Sequence, residues 1–170
     1  MNTVLDADTI KRYLSISPPL VQGLIDQDVQ TQSNGIDLTL REVREFRGPG
    51  HLDFSNKHRV LPSTSLIDFD PDGWVSLNPG SYLVSFNEVV NLPLSLMALG
   101  KPRSSLLRMG ATVETAVWDA GYRGRSQCLL VVHNQQGLRL ARNARILQLV
   151  FFRLGSETEG YSGAYQGENI

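Results

Sequence analysis

Cysteine is almost absent from this 170-residue chain. Cys128 stands alone, which excludes an intrachain disulfide and argues against a cysteine-based zinc site. It lies in an apolar run and reads as a small core residue. Histidine is scarce as well. His51, His58 and His133 do not cluster, and nothing pairs them with a nucleophile or a carboxylate, so they read as surface or structural groups. No window approaches about 18 consecutive apolar residues, so no membrane-spanning helix is expected. The start, Met1 to Asp6, lacks a basic stretch followed by an apolar one, so no secretory signal is expected and a cytoplasmic location is the default. The formal net charge of −1 excludes a broadly basic nucleic-acid surface. No phosphate-binding G-x-x-x-x-G-K-[ST] loop occurs, nor a G-x-G-x-x-G after a strand. No H-x-E is paired with C-x-x-C, so zinc-deaminase chemistry is not indicated.

What is present suits one compact domain with a real core. The chain is 41% hydrophobic and 19% charged, too apolar for a disordered polypeptide. The near-zero net charge hides a segregation. Residues 101–153 hold nine basic side chains (Lys101, Arg103, Arg108, Arg123, Arg125, Arg139, Arg142, Arg145 and Arg153) against two acidic ones, Glu114 and Asp119. That segment is +7 and the remainder −8. An Arg-rich block of this kind suits bidentate contacts to phosphate or carboxylate. It is equally what solvated outward faces of strands produce.

Along the chain, residues 6–14 predict a short helix capped by Asp6 or Asp8, with Ile10, Tyr13 and Leu14 on one face. Pro18-Pro19 ends any helix, and a short apolar piece follows at Leu20 to Ile25. Asn34-Gly35 signals a turn, and Ile36, Leu38 and Leu40 alternate as a half-buried strand. Gly48-Pro49-Gly50, Asp70 to Gly73 and Asn78-Pro79-Gly80 punctuate the middle. From Thr112 onward short apolar runs dominate: Thr112 to Trp118, Cys128 to His133, Leu138 to Leu140, and Ile146 to Phe152. Many short strands with close Gly/Pro turns predict an all-β sandwich or barrel with a small helical N-terminus. The tail from Gly155 is polar and Gly-rich. It reads as a frayed terminus or as an arm that orders over a ligand.

Three segments could carry chemistry. In Lys101 to Gly110, Ser104 opens a helical turn whose hydroxyl and N–H groups could face an anion, with Arg108 on the same face; a plain N-cap is the simpler alternative. In Trp118 to Gly124, Asp119 ends an apolar strand and is followed by glycines that permit close backbone approach. An aspartate there is a turn former or, alone in a basic block, a general base. In Asn143 to Leu149, Arg145 and Gln148 interrupt an apolar strand.

Taken together these segments resemble the dUTPase and dCTP-deaminase superfamily, most nearly its archaeal-type dUTP diphosphatases. Asn34-Gly-Ile-Asp-Leu-Thr-Leu40 resembles the first motif, with Asp37 as its acid. Pro102 to Gly110 resembles R-S-S-L-x-R-x-G. Trp118 to Gly124 resembles I-D-x-[DG]-[YF]-x-G, Asn143 to Phe151 the following R-I-x-Q-L motif, and Tyr161 to Ile170 the C-terminal arm of archaeal-type members. The resemblance implies a mainly β fold, a β-clip or distorted jelly-roll subunit with a short N-terminal helix, assembled as a homotrimer. It implies a single β domain over 1–154 and a flexible arm over 155–170, with dUTP as substrate, Mg2+ as cofactor held mainly by the triphosphate and water, and neither nucleic acid nor membrane as partner. By the same resemblance Arg103, Ser104 and Ser105 contact the phosphates, while Arg108 and Gln148 help hold the phosphates or neighbouring chains. Residues 113–122, with Val113, Thr115 and Val117, form a hairpin that reads the pyrimidine through backbone groups. Tyr122 packs on the deoxyribose, Tyr161, Tyr165 and Gln166 belong to the closing arm, and Asp119 is the base. The arm departs from its relatives: it lacks the Arg and Gly-Ser-Thr-Gly stretch of bacterial-type dUTPases and carries Ala164 where deaminases carry Lys.

The resemblance covers two chemistries. The deaminases use a Glu on the strand after the Asp motif to shuttle a proton. No position from Gly124 to Asn134 is Glu or Asp, and the amide of Gln127 cannot exchange a proton that way. Pyrophosphate release needs only neutralised phosphates and a carboxylate that deprotonates a water for in-line attack on the α-phosphorus. The expectation is therefore a dUTP diphosphatase. The alternatives are a dCTP deaminase, monofunctional or bifunctional, and a nucleotide-binding regulator without chemistry.

Overall fold

The computed structural model describes residues 3–170. Helix α1 (Ala7–Leu14) begins where Asp6 caps it: the Asp6 carboxylate accepts the Thr9 N–H at 2.8 Å. Ile10 is fully buried beneath it, and Tyr13 and Leu14 pack against the same core. The apolar piece after Pro19 yields only a two-residue strand, β1 (Val21–Gln22). A single turn, α2 (Gln27–Gln30), and β2 (Thr31–Gln32) lead into the long strand β3 (Gly35–Arg47). There follow β4 (Ser63–Ile67), β5 (Trp74–Leu77), β6 (Gly80–Phe86), β7 (Val89–Asn91), β8 (Leu96–Pro102) and the short helix α3 (Ser104–Arg108). The rest is strand: β9 (Ala111–Glu114), β10 (Val117–Trp118), β11 (Arg123–Gly124), β12 (Gln127–Val132), β13 (Leu138–Ala141) and β14 (Arg145–Arg153). The expected fold class, mainly β with a short N-terminal helix, is the one observed.

Strand β3 organises the molecule. Its first half pairs with β14 and its second half with β6, with a register shift between Leu40 and Glu42 where the strand passes from one curled sheet into the other. Gly35 is needed at its start, because a Cβ there would collide with the Leu149 carbonyl oxygen of β14. The hydrogen-bonded path runs β10, β8, β14, β3, β6, β12, β9. Its two ends, β10 and β9, are neighbours in sequence, joined by Thr115 and Ala116, so the chain itself bridges the open edge of the curl. All pairings are antiparallel. Phe86, Phe151, Ile36, Leu38, Leu40 and Leu149 fill the centre without solvent contact.

Two expectations about these strands are corrected. Residues 35–40 are buried on both faces rather than alternating, because Asp37 and Thr39 point into polar networks covered by other parts of the chain. The run 112–118 is not one strand, nor is 113–122 a two-stranded hairpin. β9 pairs with β12 and β10 pairs with β8, since closing the curl places the two halves of the run on opposite edges.

Candidate active site

The turn after β10 sets the site. The Tyr122 N–H donates to the Asp119 carbonyl at 3.1 Å, and Gly121 sits at φ +81, a backbone conformation that favours glycine. Leu92 and residues 121–122 exchange backbone hydrogen bonds at 3.1 and 2.9 Å, fixing the turn to the end of β7. The Trp118 indole N–H donates to Ser126 Oγ, and the Tyr122 hydroxyl lies 3.1 Å from the same oxygen. These ties turn the side chain of Asp119 outward. It is exposed and, among the described residues, takes part in no hydrogen bond or ion pair.

Asp119 stands on the wall of a cavity of about 680 Å³, large enough for a nucleotide-sized ligand. Val117, Trp118 and Tyr122 line it from the turn, and Gln127 and Cys128 from β12. Leu61 and Pro62 line it from the long connection before β4, and Tyr161, Tyr165 and Glu168 from the C-terminal arm. Burial pushes the Cys128 thiol up to about 12, so it is a neutral wall group.

The arm, folded in turns, is tied to residues 120–125 by hydrogen bonds. Tyr161 N–H donates to the Ala120 carbonyl at 2.7 Å, and Gly167 N–H to the Arg123 carbonyl at 2.8 Å. Gln166 both accepts from the Arg123 N–H and donates to the Gly121 carbonyl, each at 2.9 Å. The Tyr122 hydroxyl donates to Glu168 Oε1 at 2.8 Å, and the Tyr122 and Tyr161 rings meet edge to face at 5.8 Å. Burial pushes the carboxyl of Glu168 up, and burial likewise pushes the Tyr122 phenol up. Gly124 makes room for this contact, since a Cβ there would strike the Tyr122 hydroxyl.

The residues expected to meet the phosphates stand elsewhere. Arg103 occupies the cap position of α3 without a side-chain cap bond; Ser104 is the first helical residue and not the cap. Arg103 Nε instead meets Asp37 Oδ2 at 3.0 Å, and Arg145 Nη1 meets the same oxygen at 3.2 Å. Burial pushes the Asp37 carboxyl up, against the pull of both guanidiniums. Asp37 is thus the group that orients Arg103. Ser104, Ser105 and Arg108 are exposed on α3, and Gln148 is half-buried on β14 opposite Asp37 and Lys101. A second hollow of about 440 Å³ contains Lys101, Val113, Glu114 and Thr115. The predicted site residues therefore fall into groups. Asp119, Val117, Tyr122, Tyr161 and Tyr165 share the large cavity, Val113 and Thr115 the smaller hollow, and Arg103, Ser104, Ser105, Arg108 and Gln148 line neither.

Sequence reasoning missed Glu168, Ser126 and the wall made by Leu61 and Pro62. A glutamate in a polar tail carries no local signal of burial. A second buried acid, Glu88, was missed as well. It accepts from Gln30 Nε2, the Thr39 N–H and Thr39 Oγ1 at 2.7, 2.9 and 2.6 Å, and burial pushes its carboxyl up.

Comparison with known proteins resolves the family. A family model described as dCTP deaminase-like matches residues 4–154. The chain belongs to the dCTP deaminase-like family. Within it, a probable deoxyuridine 5'-triphosphate nucleotidohydrolase of Methanococcoides burtonii is 52% identical over 169 residues, covering 99% of both chains. A protein of the same name from Archaeoglobus fulgidus is 50% identical over 167 residues, covering 98% of both. Among solved structures, the 2'-deoxycytidine 5'-triphosphate deaminase of Agrobacterium tumefaciens superposes with a TM-score of 0.65 at 21% identity. That match covers 89% of this chain but 48% of the deaminase chain, and it shows the shared dCTP deaminase-like fold. No helix among the described residues is long and apolar enough to cross a membrane.

Proposed function

We propose that this chain is a dUTP diphosphatase, converting dUTP and water to dUMP and pyrophosphate. The observation that carries the reading is the uncommitted Asp119 carboxylate on the cavity wall, with no acid on the adjoining strand β12. The two relatives named probable deoxyuridine 5'-triphosphate nucleotidohydrolase match this chain over 99% and 98% of its length, which supports the reading. In this reading Asp119 takes a proton from a water whose oxygen bonds to the α-phosphorus. The α–β bridging P–O bond breaks, and its electrons leave with pyrophosphate. The Tyr122 ring faces the deoxyribose, where a 2'-hydroxyl would clash, and the arm excludes bulk water.

The donor set fits a magnesium ion carried by the substrate. No group of three or more His, Cys, Asp or Glu side chains able to hold a metal occurs among the described residues. Mg2+ that keeps most of its waters and rides on phosphates needs few or no protein ligands, so it makes no claim on Asp119, which stays free to act as the base. Such an ion supplies charge neutralisation on the phosphate oxygens.

One chain leaves the site without its arginine and serine donors, because α3 does not line the cavity. A homotrimer in which α3 of another copy brings Arg103, Ser104 and Ser105 to the triphosphate completes it. A second reading, dCTP deamination, is favoured by one observation: Glu168 puts a titratable carboxyl on the cavity. Incubation with dUTP and with dCTP, with pyrophosphate and ammonia measured, separates the two. Pyrophosphate from dUTP without ammonia from dCTP is expected. Ammonia from dCTP supports the deaminase, and binding without either product supports a regulator.

A further inference from the structure

The cavity has an electrostatic gap. Its described lining includes two carboxylates, Asp119 and Glu168, and no lysine or arginine. The arm that covers it, residues 155–170, contains Glu157, Glu159 and Glu168 and no basic residue. A polyanion held there needs cations from outside the lining.

Most neighbouring guanidiniums are committed. Arg123 Nε donates to Asn91 Oδ1 at 3.1 Å. Arg125 donates to the carbonyls of Phe86, Asn87 and Asn169. Arg44 Nε donates to Thr64 Oγ1 at 2.9 Å, and Arg44 Nη1 meets Glu42 at 3.4 Å. Arg59 is different. It lies in the long connection between β3 and β4, two residues before Leu61, which lines the cavity. Its guanidinium carbon lies over the ring of Tyr165, 5.5 Å from the centroid, in a cation–π contact, and Tyr165 is an arm residue of the cavity wall. Among the described residues its side chain makes no hydrogen bond and no ion pair. A cation–π contact of this kind uses none of the guanidinium N–H groups, so they remain free to donate.

We propose that Arg59 is the cation that holds the terminal phosphate of the bound nucleoside triphosphate, clamped in place by Tyr165 of the arm. The connection 48–62 thereby supplies in cis the positive charge that the arm lacks. The two parts also depend on each other: the arm presents the ring, and the connection presents the charge. This inference rests on the dUTP reading of the cavity.

The test is equilibrium binding of dUMP and of α,β-imido-dUTP to the full-length wild type, Arg59→Ala and Arg59→Lys, with thermal melts to establish folding. Loss of one charge-assisted, bidentate contact is expected to weaken the triphosphate analogue about tenfold to a hundredfold in Arg59→Ala. Arg59→Lys is expected to fall between, because it keeps the charge and loses the fork. Binding of dUMP is expected to stay unchanged across all three. Equal weakening of dUMP and the analogue, or no weakening of either, overturns the assignment of Arg59 and leaves the dUTP reading standing. A wild type that binds neither ligand overturns both.

Discussion

Replacement of Asp37 gives the sharpest physical prediction. Its carboxylate is 2% exposed and faces two guanidiniums, Arg103 and Arg145, at 3.0 and 3.2 Å. At an effective dielectric constant of about 20, each pair at that distance is worth about 5 kcal/mol of Coulomb attraction. Much of this is offset by the cost of removing the carboxylate from water. The two arginine side chains stay 30% and 32% exposed, so water can rehydrate them once the acid is gone. That lowers the penalty to the smaller end of the range for a broken buried pair. Asp37→Ala is therefore expected to cost about 3 kcal/mol of stability. With a urea dependence of about 2 kcal/mol per M, the unfolding midpoint falls by about 1.5 M. The double variant with Arg145→Ala is expected to cost less than the two single losses added together, because the pair is then removed rather than broken. In the same variant Arg103 loses its orienting partner, so the KM for dUTP rises more than kcat falls. An unchanged urea midpoint, or strict additivity with Arg145→Ala, refutes the electrostatic account of this cluster.

Other outcomes follow from the same geometry. Asp119→Asn is expected to bind dUTP as the wild type does and to lose turnover by about two to four orders of magnitude, read by pyrophosphate release and calorimetric binding. Truncation after Gly160 removes Tyr161, Tyr165, Gln166 and Glu168 from the cavity and the turn, so dUTP hydrolysis falls while the thermal midpoint moves little. Gly124→Ala drives a methyl group against the Tyr122 hydroxyl and the Glu168 side chain, so it weakens nucleotide binding and raises the protease sensitivity of the arm. Burial raises the carboxyl of Glu88 above its ordinary value of 4.5, so the folded chain binds that proton more tightly than the unfolded one. The resulting stabilisation is complete below the ordinary value and is lost as pH rises through the raised one. Glu88→Gln is expected to flatten this part of the stability profile. It also costs about 1–3 kcal/mol, because the Thr39 N–H faces an amide nitrogen instead of an oxygen. Urea midpoints across pH test both effects.

The fold class was legible because turn residues and short apolar runs are local signals. Asp6 before Ile10 marked the helix, and Ile146 to Phe152 marked β14. The curl of the sheet was not legible: nothing local says that β9 and β10 separate to opposite edges, which is a consequence of closure. Alternation failed at Ile36 to Leu40 because long-range partners, Glu88 and Arg103, cover the polar face. Asp119 and Tyr122 stood out because one motif carries the turn, its glycine and its acid together. Arg59 and Glu168 did not, since each acquires its meaning only when a distant segment folds onto Tyr122 or Tyr165.

The central claim is that Asp119 acts on a nucleotide whose phosphates are held by Arg103 of another copy. Mixing two inactive variants, Asp119→Asn and Arg103→Ala, under conditions that exchange subunits tests it directly. If each site is shared between copies, random mixing restores about a quarter of the wild-type rate, the fraction of sites with both native residues. If each site lies within one chain, the mixture stays as inactive as its parts, and that result contradicts the account.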